Sequence, residues 1–264
     1  GSGGWRPGLM HLLQNRQRAR IEKSFCGFAE NQNWSVSANS EFSARNLHRI
    51  YGIKGGVLYP SVDLAEFSRE PSFGEGTAFD AMGLREVGSY AVTVGRMSRF
   101  KGTYEAVEHL VGSGLGLVVI GGAKESENAA LRDYGDSLGV TVRVLSGIDS
   151  ESMRAVMRNS SAIIGLAHGE AFGLTPIEAM ALGAPPVFVN EGGYTETIVD
   201  QFNGRLVERG DIEAWHRALE QASDPGTRNR WARNGLARIE ELGLTPQDHA
   251  ERLYSIINSD ELKQ

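Results

Sequence analysis

A parallel α/β sheet covered by helices on both faces is what the sequence predicts, on three observations. From Ser89 onward, short apolar runs rich in β-branched residues alternate with longer stretches of helical periodicity. Those runs are apolar throughout, as strands buried on both faces must be, and do not alternate apolar with polar. The composition, 41% hydrophobic and 23% charged over 264 residues, supplies enough apolar material for a sizeable core. Together they describe a Rossmann-like domain.

The elements follow in order. Trp5 to Phe25 reads as a helix after Pro7, with Leu9, Leu12, Leu13 and Ile21 set against Arg16, Arg18, Arg20 and Lys23. A basic amphipathic helix is compatible with an anionic membrane surface. The short apolar face favours packing on a neighbouring domain instead. Trp34 to Ser40 is a strand leading into a helix capped by Ser40 or Ser43 and running to Ile50, and Gly56 to Asp63 returns as an extended segment. Glu66 to Gly88 is polar, glycine-bearing and weakly periodic, which marks a linker or surface loop.

The regular part assigns strands to Tyr90–Val94, Leu117–Ile120, Thr141–Leu145, Ala162–Leu166, Pro186–Val189 and Gly204–Val207. Helices fall at Thr103–Val111, Glu125–Leu138, Ser150–Arg158, Pro176–Leu182, Thr195–Asp200 and Ile212–Ala222, followed by Arg228–Leu242 and Pro246–Ile257. Gly112 to Gly116 is glycine-rich but precedes a strand, so it reads as a loop and not as a dinucleotide fingerprint.

Composition excludes several function classes. A net charge of −6, from 27 basic and 33 acidic residues, argues against nucleic acid as a partner. Cys26 is the only cysteine and the six histidines lack ligand spacing, so neither a disulfide framework nor a metal cluster is expected, and a reducing cytoplasm is the natural compartment. No apolar run approaches the roughly 18 residues of a membrane span. The opening Gly1-Ser2-Gly3-Gly4 reads as an expression remnant.

Chemistry concentrates between Gly165 and Asn190. His168 to Gly173 forms the loop after a predicted strand, and Thr175 then opens a helix as its N-cap, with Pro176 first inside and Glu178 as capping-box partner. Such a helix start at the carboxyl edge of a parallel sheet offers free N–H groups and a positive dipole end to phosphate. Taken alone, Glu178 is a capping residue and Glu170 a solvated loop charge. A second candidate, Gly95 to Gly102, carries Arg96, Arg99 and Lys101 after the first strand of the domain, cations suited to a diphosphate or simply to a solvated basic loop.

Glu170 and Glu178, with seven residues between them in EAFGLTPIE, resemble the signature of the retaining nucleotide-sugar glycosyltransferases of family four, whose GT-B fold joins two Rossmann-like domains. The continuation GAPPVFVNEGGYTETIVDQFNGRLVERGD is similar in order and spacing, including Gly192, Gly193 and Glu196. The resemblance implies that Glu178 binds the ribose hydroxyls, that Glu170 contacts the transferred sugar, and that Arg96 and Lys101 clamp the diphosphate. It further implies that backbone N–H groups of Phe172, Gly173, Leu174 and Thr175 meet diphosphate and sugar, and that Gly147 and Ile148 flank the base. Arg99 and His168 receive no role.

On the same resemblance the chain divides into 5–64, the tail of an acceptor-side N-terminal domain; 65–88, a linker; 89–225, the nucleotide-sugar domain; and 226–264, helices crossing back. The implied activity transfers a sugar from a nucleoside diphosphate to a hydroxyl acceptor (a glycan, lipid or small molecule) with retained configuration, no cofactor and no obligatory metal. Its place would be the cytoplasm or the inner membrane face. Two rivals are a nucleotide-sugar-binding module without turnover and, ranked lower, a sugar-nucleotide epimerase. An incomplete N-terminal segment would leave apolar surface for a partner chain or a second copy.

Overall fold

The computed structural model describes residues 17–27, 35–67, 80 and 82–258. They fall into two units, one drawn from Gly1–Pro60 with Gln247–Gln264 and the other from Ser61–Pro246.

In the first unit, helix α1 covers 17–27, the remainder of the predicted N-terminal helix lying outside the described residues. Strand β1 (Ser37–Ala38) pairs in parallel with β2 (Gly56–Val57), and α2 (Glu41–Tyr51) joins them. Ser40 caps α2 by accepting from the Ser43 amide at 2.9 Å, the first of the two serines the sequence offered. The Phe25 and Tyr51 rings meet edge to face, 5.7 Å between centroids.

The second unit begins with α3 (Leu64–Phe67). Within the stretch expected to be a linker or surface loop, Phe67 and Leu84 are buried, and the Phe67 carbonyl accepts from Arg158. Apolar side chains that find cover overrode the polar character of their neighbours. Residues 68–79 lie outside the described part.

The sheet follows: β3 (Tyr90–Arg96), α4 (Thr103–Leu110), β4 (Gly116–Gly122), α5 (Glu125–Ser137), β5 (Val142–Leu145), α6 (Ser150–Arg158), β6 (Ala162–Gly165), α7 (Leu174–Ala181), β7 (Pro186–Val189), α8 (Tyr194–Thr197) and β8 (Arg205–Val207). All six strands are parallel, in the order β5-β4-β3-β6-β7-β8. Val92, Val118, Val119, Ile163, Ile164, Val187, Phe188 and Val189 are each at most 1% exposed. Burying each such side chain stabilises the fold by about 1.5–3 kcal/mol relative to leaving it in water. The chain winds outward from β3 to β5, then α6 carries it back across the sheet so that β6 lands on the open side of β3. That reversal leaves a crevice at the carboxyl ends of β3 and β6, the place where ligands bind in open α/β sheets.

Helices α9 (Ile212–Ser223) and α10 (Pro225–Leu242) complete the cover. Asp211 and Asp224 cap them, accepting from the Ala214 and Thr227 amides at 2.9 and 2.7 Å. Helix α10 was expected among the C-terminal helices that leave the sheet domain. It packs inside the second unit instead, burying Trp231, Ile239 and Leu242. The last helix, α11 (Pro246–Asn258), belongs from Gln247 onward to the first unit, where His249 Nδ1 lies 2.7 Å from the Tyr59 carbonyl oxygen. Among the described residues no helix is long and apolar enough to cross a membrane.

Candidate functional site

The crevice is lined by the loops that follow β3 and β6. After Arg96 the chain turns at Ser98, whose hydroxyl accepts from the Lys101 amide at 3.2 Å and holds a 3-10 turn over Arg99–Lys101. Gly102 ends the turn at φ 65°. A side chain there would stand 2.4 Å from the Leu166 carbonyl oxygen, so only glycine lets this turn dock on the loop after β6. The docking is sealed by the His168 amide, which donates to the Phe100 carbonyl at 2.7 Å.

This close approach brings together two residues that lie 69 positions apart. Lys101 Nζ lies 2.9 Å from Glu170 Oε2, an ion pair in which the glutamate side chain is 23% exposed and the lysine 43%. Arg96 is exposed at the end of β3 and makes no hydrogen bond or ion pair among the described residues. Arg99 and the exposed Phe100 ride on the outside of the turn.

Glu170 is held from the other side as well. Its carbonyl accepts from the Gly193 amide at 2.8 Å. A Cβ at Gly193 would lie 2.3 Å from the Ala171 carbonyl oxygen and 2.4 Å from Phe172 Cα, and one at Gly192 2.6 Å from the Glu170 carbonyl oxygen. The glycine pair is therefore a seat for the 170–172 backbone. Phe172 is buried below it, as is Tyr194, whose ring sits 4.7 Å from Phe188 edge to face.

Helix α7 corrects the expected start. It runs from Leu174, its N-cap is Gly173 at φ 90°, ψ 75°, and no side chain caps it. Thr175 lies inside the first turn, and Glu178 is not a capping partner. The cause is packing: the 170–172 loop, pinned to Gly192 and Gly193, delivers the chain to the helix two residues earlier than a threonine cap would. The amides of Gly173, Leu174 and Thr175 lie at an uncapped helix start, and Pro176 has no N–H to leave unmet.

Freed from capping, Glu178 stands a little over one turn into α7, and its carboxylate has no hydrogen-bond partner among the described residues. Burial pushes its carboxyl above the usual carboxylate range, and the Glu66 carboxylate adds to the push. Glu66 itself pairs with Arg154 at 3.5 Å. A half-hidden carboxylate without a donor is costly alone and suited to accepting from a ligand's hydroxyls.

The remaining expected positions are more dispersed. Gly147 and Ile148 follow β5, the edge strand, two strands from β3. Glu196 lies in α8, which ends at Thr197 and not at Asp200, because Asp200 forms an isolated bridge to Gly204, just before the next strand. Gly112 to Leu115 form the loop expected before β4.

Sequence reasoning missed a charged cluster beside the site. Arg209, after β8, donates to Glu105 in α4 at 2.5 Å, to the Leu166 carbonyl at 2.9 Å, and through a two-pronged fork to Glu191 at 2.9 and 2.7 Å. The other oxygen of Glu105 meets His168 Nε2 at 2.7 Å. Burial alone would raise Glu105, but hydrogen bonds from His168 and Arg209 outweigh it and hold the carboxyl below the usual value. The hydrogen bonds from Arg209 likewise hold Glu191 low. Between this cluster and the Ser98–Thr103 turn opens a cleft of about 590 Å³, lined by Ser98, Arg99, Thr103, Tyr104, Glu105 and His168. Among the described residues no group of three or more His, Cys, Asp or Glu side chains is placed to hold a metal ion.

Solved structures share this architecture. A glycosyltransferase from Rickettsia africae matches with a TM-score of 0.75 at 18% identity, over 91% of this chain and 67% of that one. HepE from Anabaena, in complex with UDP-glucose, matches with a TM-score of 0.70 at 20% identity, over 84% and 64%. At these identities the likeness concerns the fold. In sequence, the D-inositol 3-phosphate glycosyltransferase of Xylanimonas cellulosilytica is 32% identical over 224 residues, 79% of this chain and 53% of that protein. The chain spans about half the length of the curated relatives it matches. Residues 77–238, more than half of the chain and including the loops after β3 and β6 together with Glu170 and Glu178, match the model of the family described as glycosyl transferases group 1, and to that family the chain belongs.

Proposed function

We propose that the chain is the donor-binding part of a retaining glycosyltransferase, taking a nucleoside-diphosphate sugar and passing its sugar to a hydroxyl acceptor. The observation that carries this reading is the convergence at one sheet edge of Lys101, Glu170 and an uncapped helix start, with Glu178 unpartnered in the same helix. The donor's ribose hydroxyls would donate to Glu178, its diphosphate would lie over the amides of Gly173 to Thr175, and its sugar would reach Glu170. Gly147 and Ile148 are the proposed neighbours of the base.

In the transfer, the bond from the anomeric carbon to the β-phosphate oxygen breaks while the acceptor oxygen bonds to the same face of that carbon. The acceptor's proton passes to the departing phosphate. What the protein supplies is placement, with Arg96 and Lys101 meeting the negative charge that grows on the diphosphate. In the free chain Lys101 is neutralised by Glu170, so the diphosphate would take over a cation that is already oriented. No bound metal enters this scheme.

Thermal unfolding tests the reading. UDP or GDP at about a hundred times its dissociation constant stabilises the chain by about 2.7 kcal/mol, and Glu178→Ala abolishes the shift. Absence of any shift with either nucleotide, or a shift indifferent to Glu178→Ala, overturns the assignment. A nucleotide-sugar-binding module without turnover is the second reading. Release or transfer of sugar from a radiolabelled donor separates the two.

A further inference from the structure

We infer that Arg209 is a positioning residue for the sugar end of the donor, setting where Glu170 stands by holding its loop from both sides; this rests on the donor-site reading and extends it. Arg209 follows β8, the outermost strand, and its side chain is 21% exposed. Three routes run from its guanidinium to Glu170. The first is the bond to the Leu166 carbonyl, four residues before Glu170. The second passes through Glu105 to the His168 ring, two residues before it. The third is the fork on Glu191, two residues before Gly193, whose amide binds the Glu170 carbonyl. The backbone that carries the arginine is fixed as well, because the His109 ring bridges the carbonyl oxygens of Arg209 and Glu105, each at 2.6 Å.

A single planar cation thus ties the loops after β6, β7 and β8 to helix α4. The role needs a fork: Nε and Nη2 serve Glu191 while Nη1 serves Glu105 and Leu166, and a lysine offers one point charge for all of them. Without the guanidinium, the carboxylates of Glu105 and Glu191 would repel each other across the gap it now fills. The loops after β6 and β7 would part, and Glu170 would lose its register with Lys101. The nucleoside diphosphate would not feel this. Its proposed contacts are Glu178 and the helix-start amides on α7, with Arg96 and Lys101 on the loop after β3, and the Arg209 guanidinium bonds to none of them.

The test compares the intact wild-type chain with Arg209→Met. Amide hydrogen exchange in the free proteins is expected to quicken about tenfold or more in 167–172 and 190–194 and to stay unchanged in β3, β4 and the start of α7. By calorimetry, UDP and GDP bind both proteins within about twofold, whereas the matching nucleotide sugars weaken about tenfold, the weight of one charged hydrogen bond. Arg209→Lys is expected to behave like the methionine variant, and serves in its place should that variant fail to fold. Equal weakening of nucleotide and nucleotide sugar, or faster exchange across the whole sheet, would show a merely structural role and overturn the inference. Unchanged exchange in the two loops would do the same. A wild-type chain that binds no nucleoside diphosphate would defeat the donor-site reading, and the exchange arm would still decide by itself whether Arg209 holds the loop.

Discussion

The ammonium of Lys101 rests 2.9 Å from the carboxylate of Glu170, and neither residue reaches the other except through the docking of Gly102 on Leu166. In the free chain each therefore screens the other, and on the proposed donor-site reading a ligand's diphosphate would compete with Glu170 for the lysine. Lys101→Ala is expected to weaken nucleoside diphosphate binding about tenfold or more, the loss of one hydrogen bond to a charged group. Glu170→Gln is expected to leave the nucleotide unchanged or slightly tighter while weakening the nucleotide sugar. Isothermal titration of both variants with both ligands reads the difference, and loss of plain nucleotide binding in Glu170→Gln would contradict it.

Glu178 predicts a conflict between stability and binding. Its carboxyl is raised by burial, so its folded form favours the proton and its contribution to stability is full only below the unfolded value of 4.5. As pH rises past 4.5 and through the folded value, that contribution is lost. Glu178→Gln should therefore melt higher than wild type at pH 7, match it near pH 4, and bind nucleotide less well. Melting curves at the two pH values check the sign.

The acids around Arg209 titrate in the opposite sense. Glu105 and Glu191 both lie below 4.5 in the folded chain, so the stability they contribute is present above 4.5 and disappears as pH falls through their folded values. Arg209→Met should flatten the acid limb of the stability curve below 4.5, which urea titrations at stepped pH measure.

Gly193→Ala should destabilise the chain by about 3 kcal/mol, an overpacking cost at its upper end. The new methyl would meet the Ala171 carbonyl and the Phe172 Cα, and backbone cannot swing aside as a flexible side chain can. Gly210→Ala is the matched control, since a methyl there meets nothing within 4 Å. Denaturant midpoints separate the two.

Strand positions such as Pro186–Val189 were legible because burial on both faces leaves a continuous apolar run, and helix Ser150–Arg158 falls where its periodicity puts it. The pairing of Glu170 with Glu178 and the Arg96–Lys101 loop were readable as residue types at a spacing. The start of α7 was not, because Thr175 and Glu178 spell a capping box that the loop seated on Gly193 pre-empts. Arg209 was invisible for a different reason. Its partners lie 104, 43 and 18 residues away, and only the finished sheet makes them neighbours.

The reversal of strand order has a consequence for how the site comes into being. Lys101 follows the first strand laid down and Glu170 the fourth, so the two halves of the sheet, β3–β5 and β6–β8, must associate before the pair exists. The residues proposed for the ligand are thus among the last native contacts that chain connectivity allows, since closing so long a loop is unfavourable until β6 lies against β3. A chain severed between Leu145 and Ser150 would carry one charge on each fragment. Recovery of nucleotide binding on mixing them would then report the joining of the two half-sheets, making the nucleotide a gauge of assembly.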